Sequence, residues 1–462
     1  MKKGESRQLD RALGMSYFSI METYTTQDIG AAYDRRSLET LETALGTTPL
    51  YESWRSSDPG QGQDVDARYH SLPVLNKDDI RHHFPFGLVP KGLDLPAALA
   101  SGEVSFVRTS GTSDESLENI WNQVWWDASE RASWRLNAVA GRAATGTHRE
   151  AILASALSVG PRSENGPIPR EGRMLGRFLF LNEFGTPAEW PAAHEKRILE
   201  EMADYQPSVL EANPSLLARL ARFAWRTGAA VWAPPLIVLT YEFPSSLQLR
   251  AIRRVFPSPI ASSYGSTEAG YVFMECEHGS LHQNFESCRV DFAPLTRGAG
   301  PPVGRIFTTT FGNRWFPLVR FDMGDIVRLA NGPCPCGRGF GMTLSAIEGR
   351  TKSLCVAGDG TFVTHREIDD ALAQVDGLEA YRLVQETPQR VRIGLIGENG
   401  DGSRVVRAAA EVVQGLFGRG VDIDAGEVRA LLPERSGKFL LVRRDFTLGP
   451  ERWMEQTETV HG

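Results

Sequence analysis

The sequence predicts an α/β protein in two unequal parts, a large N-terminal α/β domain over 1–349 and a small α+β domain over 350–462. Three observations carry this. Short apolar runs alternate with helical patterns between 150 and 240. The patterning changes to strands and turns between 302 and 330. After Gly349-Arg350 the chain restarts as a compact unit in the order βαββαβ. The 462 residues are 41% hydrophobic, enough for one large core and one small one.

Residues 1–100 read as helical and turn-rich. Arg36–Leu45 has apolar residues at helical spacing. The stretch SLPVLNKDDIRHHFPFGLVP reads as loop, helix, loop, with Asp78 and Asp79 in the first turn, where the helix dipole favours carboxylates. Next, VSFVR reads as a strand, TSGTS as a polar loop, and Trp126 to Thr145 as one long amphipathic segment. AILASALSV, RFLFL, SVLEANPSLLARLARFAW and PLIVLTYE then alternate strand and helix, which predicts a largely parallel sheet. In the small domain, 353–357 is strand-like and HREIDDALAQV helical. YRLVQE and RVRIGLIG are strands, VVRAAAEVVQGLF a helix, and FLLVRRD the last strand.

The balance of 50 Lys and Arg against 57 Asp and Glu gives a net charge of −7, which excludes a nucleic-acid binder held by bulk charge. No apolar run approaches the ~20 residues that span a bilayer, so no membrane partner is expected. The start, MKKGESRQLD, is polar and predicts no secretory signal. Five cysteines predict no disulfide framework and a reducing, cytoplasmic setting.

Five motifs carry chemistry. Thr109-Ser110-Gly111-Thr112-Ser113 offers hydroxyls and backbone N–H groups around a glycine, a cradle suited to a triphosphate. Ser263-Tyr264-Gly265-Ser266-Thr267-Glu268 follows an apolar run; a Tyr stacks on a base, a Thr reaches a phosphate and a Glu holds Mg2+. In Arg320-Phe321-Asp322-Met323-Gly324-Asp325, an Asp after a Gly turn can accept two ribose hydroxyls. Gly349-Arg350 is followed by Lys352, and the loop Pro433 to Lys438 presents a lysine before the last strand. Each alone reads equally as an ordinary turn, a hairpin with an ion pair, or a solvated cation.

In this order and at these separations, the five resemble the adenylate-forming superfamily of acyl-CoA synthetases and adenylation domains. The chain looks most like the phenylacetate-CoA ligase branch, whose N-terminal signature LPVLNKDDIRHHFPFGLVP resembles. The resemblance implies a large adenylate-forming domain with a small mobile domain behind it. It implies ATP and Mg2+ as cofactors, a small, aromatic acid as substrate, and CoA or a carrier protein as acceptor. Thr109 to Ser113 would cover the ATP phosphates, Glu242 lie beside the adenine pocket, and Tyr264 lie against the adenine. Thr267 would contact the α-phosphate and Glu268 ligate Mg2+. Asp325, helped by Arg350, would bind the ribose. Lys352 would be the hinge, and Lys438 the mobile lysine that stabilises charge during adenylation. One departure stands in the phosphate loop. Asp114 and Glu115 follow where the family has Gly and Lys, and carboxylates beside a triphosphate repel it unless screened. Related readings keep the fold but deliver the acid to an amine, or activate nitrite for diazotisation of an arylamine. A non-catalytic nucleotide-binding regulator is the alternative of another class. A homodimer is entertained, with no sequence feature that decides it.

Cys276, His278 and His282 follow the Tyr-Gly motif, and Cys334-Pro335-Cys336 comes some fifty residues later. Three thiolates and one imidazole complete a closed tetrahedral zinc (Zn2+) site. Cys276, His282, Cys334 and Cys336 are the favoured ligands, His278 the rival, and Cys288 a strand residue; reduced surface thiols are the alternative. Members of the branch carry a similar set. Trp121, Trp125 and Trp126 read first as core, and second as an aromatic wall for an aryl substrate.

Overall fold

The computed structural model describes residues 25–109, 116–144, 146–164, 166–296, 300–398, 402–434, 437–449 and 453. A 22-residue helix, Thr26–Thr47, opens it behind a Thr25/Asp28 capping box. The helix Lys77–His83 forms where Asp78 and Asp79 predicted it, because Asn76 accepts from both of their N–H groups. Just before it, Leu75 donates to the Arg320 carbonyl (3.1 Å) and accepts from Asp322 (2.8 Å), which ties this segment to a strand of the main sheet.

β1 (Ser105–Arg108) and β2 (Glu118–Trp121) pair as an antiparallel hairpin. Twelve strands then form one sheet. They are β3 (Glu150–Leu153), β4 (Met174–Leu175), β5 (Phe178–Phe180), β6 (Val209–Ala212), β7 (Leu236–Leu239) and β8 (Ile260–Ser266), followed by β9 (Gly270–Glu275), β10 (Leu281–Gln283), β11 (Cys288–Pro294), β12 (Val303–Thr310), β13 (Phe321–Leu329) and β14 (Thr343–Arg350). Their spatial order is β11-β12-β13-β14-β10-β9-β8-β7-β6-β3-β5-β4.

The block β5-β3-β6-β7-β8 is parallel, as expected. Its strands β6 and β7 are buried along their whole length, and helices such as Pro214–Thr227 cover them with Leu216, Leu217, Leu220 and Ala221. From β8 onward every pairing is antiparallel, so the sheet is mixed rather than largely parallel. The switch is local. After Thr267 and Glu268 the chain doubles back through Gly270, whose φ of 72° lies in the left-handed region that a side chain disfavours. The expected single helix over 126–145 is two, Gln123–Trp134 and Ala138–Ala143, because Asn137 caps the second.

Past Arg350, β15 (Cys355–Val356) and β16 (Phe362–Val363) make a separate hairpin. β17 (Leu378–Thr387), β18 (Arg390–Gly397), β19 (Asp422–Glu427) and β20 (Val442–Arg444) form a four-stranded sheet in the order β19-β18-β17-β20. The helices His365–Leu372 and Gly402–Phe417 cover it, with Ile368, Leu372, Leu383, Ile393, Val405 and Phe417 in one core that Leu247 of the helix Ser246–Arg253 joins. The βαββαβ expectation left out β19 and put 353–357 into this sheet. β19 is an edge strand, DIDAGE, in which three acidic residues interrupt the half-buried Ile423 and Ala425, so it has no buried run to read.

This sheet meets the main one along the helices Pro214–Thr227 and Ser246–Arg253. Arg222 pairs with Glu379 at 2.9 Å, Arg226 with the same carboxylate at 3.5 Å, and Arg254 with Glu398 at 3.7 Å. The Ser246 N–H donates to Asp369 at 2.6 Å, and Arg250 donates to the Ala373 carbonyl. No helix among the described residues is long and apolar enough to cross a membrane.

Candidate active site and metal centre

The strand ends of the parallel block and the β13–β14 ladder converge on one set of side chains. Tyr264 lies near the end of β8, and its hydroxyl donates to Asp325 at 2.8 Å. Asp325 and Arg350 are register partners across β13 and β14, which sets the guanidinium Nε 3.5 Å from the carboxylate. Burial raises the Asp325 pKa, while Arg350 and the Tyr264 hydroxyl pull it down. Gly265 follows Tyr264 on the strand, and Thr267 and Glu268 lie in the turn beyond it. Glu268 is only 4% exposed, yet it makes no hydrogen bond or ion pair among the described residues.

The loop that carries Lys438 is docked against the main sheet. Its turn is closed by Glu434 N–H to the Lys438 carbonyl and Gly437 N–H to the Glu434 carbonyl, both 2.8 Å. The Phe439 N–H donates to Glu242 Oε1 at 2.8 Å, and Ser215 Oγ holds the other oxygen at 2.6 Å. Gly437 has φ 78°; a Cβ there would collide with Ser155 and come within 3.1 Å of the Gly185 carbonyl. Only glycine lets the loop approach so closely. Burial, then the Arg350 guanidinium, lower the Lys438 pKa; Glu242 and Glu268 oppose them, and Lys77 adds to the lowering. Lys438, Glu242, Glu268, Arg350, Asp325 and Tyr264 are therefore one neighbourhood.

The Glu242 carboxylate is held by Ser215 and the lysine loop, and burial raises its pKa. Thr109 closes the base of the phosphate loop. Its N–H reaches the Leu117 carbonyl at 2.8 Å, and its hydroxyl accepts from Leu117 N at 2.9 Å. Ser110, Gly111, Thr112 and Ser113, with Asp114 and Glu115, lie outside the described residues. Lys352 is exposed on the single helical turn Thr351–Ser353.

The four favoured metal ligands come together. The donor atoms of Cys276, His282, Cys334 and Cys336 lie within 4.8 Å of one another. Cys276 directly follows β9, His282 lies on the neighbouring β10 as register partner of Met274, and a Pro-flanked turn brings in the Cys334/Cys336 pair. Burial drops the His282 pKa to about 4, which keeps the imidazole neutral, and raises the Cys276 thiol to about 12 when no cation is near. Thr343 Oγ1 lies 3.3 Å from His282 Nδ1 and orients the ring. The rival, His278, is exposed and outside the set, while its backbone N–H points at Cys276 Sγ at 3.4 Å. Cys288 is buried at the start of β11, as read from the sequence.

Comparisons with family models and with curated proteins find no match. Solved structures do match. 2-Hydroxyisobutyryl-CoA ligase in the postadenylation state with 2-HIB-AMP is 17% identical, over 90% of this chain and 88% of that one, at a TM-score of 0.65. The chain has the fold of the adenylate-forming CoA ligases. An open conformation of the same ligase with 2-HIB-AMP and CoA is also 17% identical, covers 90% and 91%, and scores 0.55. Its thioesterification state, again at 17% identity and covering 90% of each chain, scores 0.53.

On this fold, the strand-end cluster contains residues that the motifs did not name. Lys77, at the start of its helix, acts electrostatically on both Asp325 and Lys438. The helix Gln123–Trp134 brings Glu130 to the Tyr271 hydroxyl at 2.8 Å. Tyr241, with φ 75°, donates to Glu211 on β6. Burial pushes Glu130 up to about 7 and Glu211 up to about 8, and their mutual repulsion with Glu150 adds to it. Asn119 on β2 donates to the Thr267 carbonyl at 2.7 Å. The partners of Asn119 and Glu130 are far from them in sequence.

Proposed function

We propose that the protein is an ATP-dependent, AMP-forming acid–thiol ligase. It adenylates a small, aromatic carboxylic acid and passes the acyl group to the thiol of CoA or of a carrier protein, as in the phenylacetate-CoA ligase branch. The observation that carries the reading is Lys438. Its loop reaches across from the small sheet and sits on Glu242, beside Glu268 and Arg350.

The chemistry follows from the residues. A carboxylate oxygen attacks the α-phosphorus and pyrophosphate leaves. Negative charge grows on the phosphoryl oxygens, and the Lys438 ammonium, desolvated and fixed, stabilises it. Thr267 offers a hydroxyl to the α-phosphate. Glu268 is a buried residue whose carboxylate makes no hydrogen bond or ion pair among the described residues, which fits a hard cation, and it would hold Mg2+, whose charge neutralises the phosphates. Tyr264 and Gly265 line the base, Asp325 and Arg350 take the ribose hydroxyls, and Thr109 to Ser113 cover the phosphates. The domain from 350 to 462 then turns at Lys352 and exchanges Lys438 for an approach by the thiol.

The higher TM-score with the postadenylation form of the solved ligase than with its thioesterification form supports a closed, adenylation-side arrangement. The half-buried Trp121 and Trp126, 4.4 Å apart, with Tyr271 5.0 Å from Trp126, support an aromatic acid. Cys276, His282, Cys334 and Cys336 would hold a structural zinc, since all four positions are protein atoms. We place the reaction in the cytoplasm and in secondary metabolism. Lys438→Ala tests the reading: it should abolish acid-dependent pyrophosphate exchange while sparing ATP binding. Unchanged exchange would remove the lysine from its role.

A further inference from the structure

Asn119 is a buried polar residue in a four-residue strand, 2% exposed, and it is register partner to Val107 in the β1–β2 hairpin. Its amide has two ends with different fates. The nitrogen donates to the Thr267 carbonyl at 2.7 Å, joining residues 148 positions apart. The oxygen is buried and has no hydrogen-bond partner among the described residues. The assignment of the two ends is set by chemistry, because only the nitrogen can donate to a carbonyl. Buried acceptors are nearly always satisfied, so an orphan calls for an explanation.

The orphan does not stand alone. Glu268, next to Thr267, is 4% exposed and likewise makes no hydrogen bond or ion pair among the described residues. The Thr267–Glu268 turn and the β2 amide bonded to it thus present two acceptors, the Glu268 carboxylate and the buried Asn119 oxygen. A hydrated divalent cation satisfies such a pair. Mg2+ takes one or two carboxylates and substrate phosphates directly and keeps several waters, which donate hydrogen bonds outward. A neutral amide oxygen at the edge of that shell suits a water better than the metal itself.

We propose that Asn119 is a positioning residue of the adenylation centre: its nitrogen fixes the Thr267–Glu268 turn, and its oxygen accepts a hydrogen bond from a water of the cation that Glu268 holds. The inference rests on the reading of Glu268 as a cation ligand. It also gives the hairpin a task. Through this one side chain, β2 and the turn that bears the α-phosphate threonine and the cation ligand share a common register.

The test uses Mn2+ as the cation, the full chain and α,β-methylene-ATP, with bound Mn2+ read from loss of the free-ion paramagnetic resonance signal. Loss of an outer-shell partner weakens metal binding by ~10–100-fold, so Asn119→Ala should bind Mn2+ at least about tenfold more weakly. Asn119→Asp keeps the oxygen and adds charge, but cannot donate to the Thr267 carbonyl. It should bind Mn2+ more tightly than N119A does, because the acceptor is kept. Asn119→Ser keeps a polar atom without the reach; it should match N119A, and it carries the comparison if N119A does not fold. Asn119→Asp as weak as N119A would confine the residue to its bond with Thr267 and overturn the proposal. Unaltered binding in N119A would do the same. Glu268→Gln separates the two levels: unchanged Mn2+ affinity in E268Q would overturn the reading of Glu268 on which the inference rests.

Discussion

Glu379→Gln probes how the lysine loop is held in place. Glu379 lies on β17 and receives Arg222 at 2.9 Å and Arg226 at 3.5 Å from the helix Pro214–Thr227. The Arg222 and Glu379 side chains are each 20% exposed. Exposed ion pairs are worth ~0.2–1 kcal/mol, and removing one partner of a fully buried pair costs ~3–5 kcal/mol. A pair four-fifths desolvated falls between, at about 1.5 kcal/mol, reduced little by the remaining bond from Arg222 to the Glu379 carbonyl. That is about tenfold in the equilibrium between docked and undocked small domain. Acid-dependent pyrophosphate exchange should fall by up to about tenfold, because it needs Lys438 docked. Thioester formation from supplied acyl-adenylate should be unchanged or faster. Arg254 and Glu398 form the internal control: their side chains are 48% and 46% exposed at 3.7 Å, so Glu398→Gln should change either half-reaction less than about threefold. Equal slowing of both half-reactions by E379Q, or equal effects of E379Q and E398Q, would refute the idea that this contact sets the partition.

Further outcomes follow from single sites. Gly437→Ala places a Cβ at φ 78° against Ser155 and the Gly185 carbonyl, a strain of ~1–2 kcal/mol before any clash; exchange should fall at least about tenfold with thermal unfolding little changed, and unaltered exchange would contradict the docking. Glu211, raised to about 8 by burial, binds a proton in the folded state that it lacks when unfolded above its ordinary value of 4.5. Its contribution is therefore present below 4.5 and lost as pH rises to about 8, by at most ~1.4 kcal/mol per pH unit. Urea unfolding should show the unaltered chain losing stability from pH 5 to 8 relative to Glu211→Gln; equal slopes would contradict the assignment. Metal analysis should find about one zinc per chain, lost in Cys334→Ser together with at least a few degrees of thermal midpoint; full zinc in that variant would exclude Cys334 as a ligand.

The parts legible in the sequence were those written locally. β6 and β7 are continuous apolar runs, the Pro214–Thr227 helix follows an Asn-Pro start, and Asp78 and Asp79 mark their helix. The cysteine and histidine cluster was legible because soft ligands are rare and these fall in two closely spaced pairs. Asp325 and Arg350 were readable as two motifs, but their facing registers on β13 and β14 were not. What escaped depends on distant partners. Asn119 meets Thr267 across 148 positions, Glu130 meets Tyr271 across 141, and Lys77 reaches the site only because Leu75 pairs beside β13. The antiparallel half of the sheet was hidden for the same reason: one turn at Gly270 reverses the chain, and nothing in the strands' composition announces it.

The most direct test is ATP–pyrophosphate exchange by the full chain across a panel of small acids, aromatic ones included, with ATP binding measured in parallel. Exchange that depends on one class of acid, and that is absent in Lys438→Ala while ATP still binds, is the expected result. No exchange with any acid, together with no binding of ATP, would contradict an adenylating function.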